Sequence, residues 1–225
     1  MIPYKLVRSR RKTIAVHIKK DASVEVRAPL ALSVTDIEKW IASKEKWIEK
    51  HLEQRKRLNA EKSGFTLNYG DTVALAGNMY PIRAKEGDLV GFDRQCFYMP
   101  PDLAPNGIKN AVIQIYKALA KSIIKNKAAE YAKHMNVTPA SVKITDAKTR
   151  WGSCSGTHRV NFSWRLVMTD NDTIDYIVVH ELAHILEHNH STRFWKVVES
   201  VFPDYRDRQK KLDLFQKQQI VQDWD

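Results

Sequence analysis

His180-Glu181-Leu182-Ala183-His184 sets two imidazoles four residues apart with a carboxylate between them. On an α-helix, residues i and i+4 share a face with Cβ atoms about 5–6 Å apart, so both rings can reach one ion at about 2.0–2.1 Å. Glu181 points to a neighbouring part of the surface and stays free to act on water. With 8 His and 11 Glu in 225 residues, chance supplies roughly 0.01 such strings per chain, so coincidence is a weak competitor. Ile177, Val178, Val179, Leu182, Ala183, Ile185 and Leu186 surround the motif with apolar side chains, which implies a buried helix. Unpartnered imidazoles and a carboxylate are costly there, and a bound cation removes that cost. The helix is expected to begin near Thr173, with the Thr173 hydroxyl as cap after the polar loop Thr169-Asp-Asn-Asp172.

Two histidines do not complete a catalytic zinc site, which has three protein ligands and an open position for water. His188 continues the i+4 series, but on an unbroken helix its Cα stands about 12 Å from that of His180. His190, ten residues after His180, returns to the first two rings if the helix ends near Glu187 or His188. Asn189 tolerates left-handed backbone and is placed to make that turn. The spacing H-E-x-x-H-x-x-x-x-x-H resembles that of the metzincin peptidases, whose turn glycine would fall where this chain has Glu187. Glu199, on the following helix, is a rival third ligand of the kind used by thermolysin-like enzymes. His188, His17, His51, His134 and His158 read as ordinary polar residues.

A chain of 225 residues that is 43% hydrophobic can bury a core, as one domain or two small lobes, and is not collagen-like, coiled-coil or disordered. Cys96 and Cys154 form no C-x-x-C pair, so neither a disulfide scaffold nor a thiolate zinc knuckle is expected, and reducing cytoplasm is the simplest home. No stretch approaches about 18 uninterrupted apolar residues, and the basic N-terminus lacks a following apolar run with a cleavage site. Neither a membrane span nor export is expected. The formal charge of +11 invites a polyanionic partner, nucleic acid or nucleotide. Lys117, Lys121 and Lys125, however, recur every fourth residue, which is also how a solvated helix face is written.

Ile14, Val16 and Ile18, then Val24 and Val26, alternate with other residues about Lys20-Asp21-Ala22-Ser23, the pattern of a hairpin ended by Pro29. Helical spacing follows over about 34–57, with Thr35 and Glu38 as a capping box and Trp40 and Trp47 as core anchors. Between Phe65 and Pro101, short β-prone runs separated by glycine turns read as a meander. Pro100-Pro101 and Pro105-Asn106-Gly107 mark the expected boundary between residues 1–105 and 106–225. Ile108, Val112, Ile115, Leu119, Ile123 and Ile124 then describe a helix to about His134, stopped by Asn136 and Pro139. Val142 to Arg150 and Arg159 to Met168 read as strands on either side of the turn-rich Gly152-Ser-Cys-Ser-Gly156-Thr.

Arg150-Trp-Gly-Ser-Cys-Ser155, Asn161-Phe-Ser-Trp-Arg-Leu166, Ile174-Asp-Tyr-Ile-Val-Val-His-Glu-Leu-Ala-His184 and Asn189-His-Ser-Thr-Arg-Phe-Trp195, in that order, resemble the motifs of the YgjP-like metallopeptidase family. That family is related to the SprT-like and WLM zinc peptidases. The likeness is dense from about Lys148 to Tyr205, and Arg11-Lys-Thr-Ile-Ala-Val16 with the tryptophan-bearing helix resembles the family's front end. The resemblance implies an α+β fold: a zincin-like catalytic region, with a short antiparallel sheet and the active-site helix, behind an N-terminal β-rich section containing one long helix. It also implies Zn²⁺ held by His180, His184 and His190, Glu181 as catalytic carboxylate, and a peptide or protein substrate.

The expected reaction is hydrolysis of a peptide bond by zinc-activated water with Glu181 as general base. The strands flanking Trp151 would pair with an extended substrate, Trp151, Gly152 and Ser153 lining the cleft. Alternatively Trp151 packs in the core and Gly152-Ser153 merely turn the chain. Cys154 reads as a small buried residue, and His158, Arg150 and Tyr205 are candidate oxyanion donors. Three other readings stand beside this one: nucleotide phosphoanhydride hydrolysis, DNA-associated SprT-like proteolysis, and a non-catalytic zinc-binding module.

Overall fold

The alternating residues near the N-terminus do form strands. In the structure, a computed structural model that describes residues 2–63, 65–219 and 224, β1 (Lys5–Ser9), β2 (Ala15–Ile18) and β3 (Val24–Pro29) make a sheet in the order β1-β3-β2. The hairpin β2–β3 is antiparallel with Val16 opposite Val26, and Ala22 takes φ 62° in its turn. β1, which only the short apolar run Leu6-Val7 marks in the sequence, runs parallel to β3. Arg8 of β1 donates to the carbonyls of Pro29, Leu30 and Leu32 at 3.0, 3.1 and 2.7 Å, pinning the bend that leaves β3.

The single helix expected over about 34–57 is two helices, α1 (Val34–Ser43) and α2 (Glu45–Ser63). They part at Lys44, whose N–H turns back to Ile41 at 2.9 Å. The cap is Ser33 rather than Thr35: Ser33 has extended backbone, and its Oγ accepts from the Asp36 N–H at 3.1 Å. Val24, Val26, Ala28, Ile37, Ile41 and Ile48 form this unit's core, with Trp40 packed at its margin. Trp47 does not join it and is 49% exposed. Ile48, about 100° further round the helix, takes the inward position instead.

Contacts divide the chain at 65/66, and residues 66–219 with Trp224 form the second unit. The boundary expected at residue 105 falls inside this unit, because the strands before it pack on the helix after it. β4 (Thr72–Leu75), β5 (Asn78–Ala84), β6 (Gly91–Phe92) and β7 (Phe97–Met99) lie in the order β4-β5-β7-β6. β5 and β7 are parallel, so the segment is not the meander its turns suggest. α3 (Pro105–His134) starts with proline in its first turn. It buries Ile108, Val112, Ile115 and Ile124, and exposes Lys121 and Lys125 as a solvated face. Tyr116 ties α3 to the strands by donating to the Ala74 carbonyl at 2.5 Å, and its ring packs on Phe97, Trp164 and Trp224.

β8 (Ser141–Thr145), β9 (Gly152–Cys154) and β10 (Arg159–Ser163) form a mixed sheet, β10 parallel to β8 and antiparallel to β9. The sheet is therefore only partly the antiparallel one expected. Gly152–Cys154, expected as a turn, is a strand, and the turn lies at Ser155 to His158, where His158 takes φ 56°. The segment expected to continue as strand to Met168 becomes a 3-10 turn over Trp164–Met168. α4 (Asn171–Ala183), α5 (Thr192–Val201) and α6 (Tyr205–Gln219) complete an α+β architecture. Lys127 of α3 pairs with Asp175 of α4 at 2.6 Å. Among the described residues no helix is long and apolar enough to cross a membrane.

One buried acid of the first unit makes its stability depend on pH. Glu25 on β3 accepts from Lys19 and Arg27, both at 2.8 Å, and these two partners hold its carboxyl down at about 2, against an ordinary 4.5. A folded pKa below the unfolded one adds stability that is complete above the ordinary value and is lost as pH falls through the folded value. The stability difference between wild type and Glu25→Gln, measured by denaturant unfolding, should shrink as pH falls from about 5 towards about 2. A difference independent of pH over that window would show that the two cations do not stabilise the Glu25 charge.

Candidate metal centre

α4 begins one turn earlier than expected: Asp170, not Thr173, is its cap, accepting from the Thr173 N–H at 2.7 Å. Asp outranks Thr as a cap, and Thr173 is left buried inside the first turn. The helix also ends earlier, at Ala183, with His184 as the C-cap. The next residues tighten rather than continue: Leu186 and Glu187 both return their N–H groups to the Ala183 carbonyl at 3.0 Å. Neither Glu187 nor Asn189 has positive φ. A glycine at 187 is thus not required, and Asn189 turns the chain differently, through its Oδ1 and carbonyl, which accept from the Ser191 N–H at 3.2 and 2.8 Å. Ser191 then caps α5.

This turn brings His190 back to the helix. The nearest ring nitrogens of His180, His184 and His190 all lie within 4.8 Å of one another. The Nε2 atoms of His180 and His190 are 3.0 Å apart. Two nitrogens at about 2.0–2.1 Å from one tetrahedral ion stand about 3.3 Å apart, so the cluster needs little adjustment to hold one. His184 Nδ1 donates to the Glu187 carbonyl at 3.1 Å, which leaves the Nε2 lone pair free for another partner. Among the described residues, none hydrogen-bonds the buried His180 Nδ1. Burial, with the neighbouring His184 and His190, pushes His180 down to about 3, and burial also lowers His184. Both rings are therefore neutral near pH 7, as a metal ligand requires. On these grounds the donor set fits a divalent ion with nitrogen ligands.

The rings are held by an aromatic wall from α5. Phe194, fully buried, meets His180, His184 and His190 with ring centroids at 4.9, 4.5 and 4.8 Å. Trp195 stacks on His190 at 5.7 Å and on Tyr205 at 5.2 Å. Glu199 is exposed on α5 and does not belong to the cluster. His188 instead stacks on His158 at 6.0 Å.

Glu181 leaves α4 towards β9 and is only 6% exposed. Burial pushes its carboxyl up to about 7, with the charge of Arg150 acting the other way. Its neighbour is the Cα of Gly152: a Cβ built there would stand 2.5 Å from Glu181 Cγ and 2.7 Å from Cδ and Oε1. Sequence reasoning assigned Gly152 to a turn or a cleft lining. Its steric role has no signature in a single string, because it depends on β9 crossing the acid of α4. Cys154 lies near the same acid, and burial and Glu181 raise its thiol, which stays protonated and is no nucleophile at neutral pH. Trp151 is half-buried against Phe215, with ring centroids at 5.7 Å. Tyr205 accepts from Arg206 at 3.1 Å.

β9 is an edge strand, and beside it a cavity of about 360 Å³ is lined by Arg150, Gly152, Ser153, Asn161, Thr145 and Ser163 among others. An edge strand next to a carboxylate and a cluster of imidazoles offers backbone groups to an extended chain and a base to its scissile bond.

The domain model described as "YgjP-like, metallopeptidase domain" matches residues 12–215. Two solved structures of metallopeptidase zymogens are similar to part of the chain. Abylysin of Pyrococcus abyssi is 22% identical over 42% of this chain and 93% of its own, with a TM-score of 0.38. Jannalysin of Methanocaldococcus jannaschii is 25% identical over 42% of this chain and 95% of its own, with a TM-score of 0.37. No curated protein matches. Since the domain spans almost the whole chain, from residue 12 to residue 215, the protein belongs to the YgjP-like metallopeptidase family.

Proposed function

We propose that this metallopeptidase is zinc-dependent, with His180, His184 and His190 holding one Zn²⁺ and Glu181 acting as general base on a peptide or protein substrate. The observation that carries the reading is the convergence of three imidazoles, two of them kept neutral by burial, beside a buried carboxylate on the same helix. When bound, zinc supplies Lewis acidity to water and to the scissile carbonyl. Glu181 takes a proton from the attacking water and delivers it to the leaving amine nitrogen. The edge of β9 aligns the extended substrate, and Gly152 leaves the room in which the Glu181 carboxylate sits. Phe194 excludes water from one side of the imidazole cluster and fixes the three rings.

Two measurements test the assignment. Metal analysis should find one zinc per wild-type chain and a substoichiometric amount in His184→Ala. Glu181→Gln should keep the zinc while peptide turnover falls by about 100-fold or more. If Glu181→Gln cleaves as fast as wild type, the base is another group.

Gly152→Ala tests the positioning. The added methyl meets a side chain rather than backbone, so the acid moves while the sheet stays. We expect zinc content and the KM for a peptide to hold and kcat to fall by about 10- to 100-fold, the cost of an ångström-scale misplacement. Unchanged kcat would show that Glu181 does not depend on the bare Cα.

A further inference from the structure

Charge is divided unevenly along this chain. Residues 1–65 hold ten Lys and six Arg against two Asp and six Glu, a net +8 of the chain's +11. The same segment carries the exposed Trp47, and among its described residues α2 exposes no other large apolar side chain. An indole left 49% exposed forgoes burial that folding could have used. Its placement is nonetheless fixed. His51 lies against it with centroids 4.1 Å apart and planes 30° apart, and His51 Nδ1 hydrogen-bonds the Trp47 carbonyl at 2.8 Å. Arg55 follows on the same face, one turn beyond His51. A cleft of about 230 Å³ runs between Trp47, His51, Gln54, Arg55 and Leu58 of α2 and Ile18 of β2. Asn59 donates to the Lys20 carbonyl at 2.8 Å and so holds the β2–β3 turn beside that cleft. Lys20 in that turn and Lys46 and Lys50, one and three residues from Trp47 along α2, are exposed.

An indole over a cleft, a guanidinium on the same face and exposed lysines on the same helix and turn are the parts from which unpaired nucleic acid is bound: a base stacks on the ring and phosphates follow the cations. A duplex keeps its bases stacked on one another and offers no free face to the indole. An anionic lipid surface would meet the same charge but calls for a broad apolar face, which α2 lacks. We propose that the Trp47–Arg55 cleft binds single-stranded nucleic acid, one base stacking on Trp47 and the backbone running along Lys20, Lys46 and Lys50. This proposal is independent of the zinc reading, since none of these residues belongs to the metal centre.

The test is fluorescence anisotropy of the full chain with a labelled mixed-sequence RNA about 12 nucleotides long. Saturable binding should weaken about tenfold or more between about 50 and about 200 mM salt. Trp47→Ala should weaken it about tenfold, Trp47→Phe should nearly restore it, and the duplex of the same sequence should bind about tenfold more weakly than the single strand. Circular dichroism and the peptide-cleavage rate of Trp47→Ala should match wild type, which separates lost stacking from lost folding. Equal affinity for duplex and single strand, no effect of Trp47→Ala, or no binding at the lower salt would overturn the proposal. So would binding to phosphatidylglycerol vesicles that depends on Trp47 while RNA binding does not.

Discussion

Removing an imidazole and a carboxylate from water is the constraint around which the second unit is built. α4 is apolar nearly all round, yet it carries Glu181 into the interior and half-buries His180, whose Nδ1 is cut off from water. Such groups stay buried only if they are neutral or partnered. The structure answers differently for each. His180 is neutral, and its Nε2 lies 3.0 Å from that of His190, arriving from beyond the helix end. Glu181 has a raised pKa and occupies a space kept open by a glycine on a neighbouring strand. A cation among the imidazoles, as proposed, would lower the cost of both at once.

The local features of this site were legible because helical periodicity and ligand spacing are local. The i, i+4 pair, the return of His190 and the buried character of α4 all follow from a window of about twenty residues. The caps misled at both ends for one reason: Thr173 and Thr35 each stand a few residues from a better acceptor, Asp170 and Ser33, and only the backbone angles decide between them. Glu187 and Asn189 show the same limit. The sequence suggested a left-handed turn, but three-residue hydrogen bonds and an Asn side chain reverse the chain without one.

What escaped sequence reading was long-range. β1 has no strand signal of its own beyond a short apolar run and exists because β3 offers it an edge. The parallel pairing of β5 with β7 and of β10 with β8 joins segments whose connecting chain does not announce it. The proline-rich stretch before α3 reads as a boundary in the sequence, whereas Tyr116 ties the two sides of it together through the Ala74 carbonyl. Trp47 failed as a core anchor because the chain breaks at Lys44, so the seven-residue spacing from Trp40 no longer keeps the two rings on one helical stripe, and Ile48, with Leu52 packed beside it, turns inward instead.

The turn from His184 to Ser191 gives the cluster an uneven mechanical character. His180 is carried by the continuous part of α4, while His184 is its C-cap and His190 lies beyond it. The orientation of His184 depends on the Glu187 carbonyl, and the path to His190 on the hydrogen bonds at Ser191. Those few bonds are weaker restraints than a helix interior, so thermal opening would begin there and loosen two of the three rings together. Such a centre comes apart from one side, keeping its first imidazole and its carboxylate in register on the helix, and a reclosing turn need only deliver the other two.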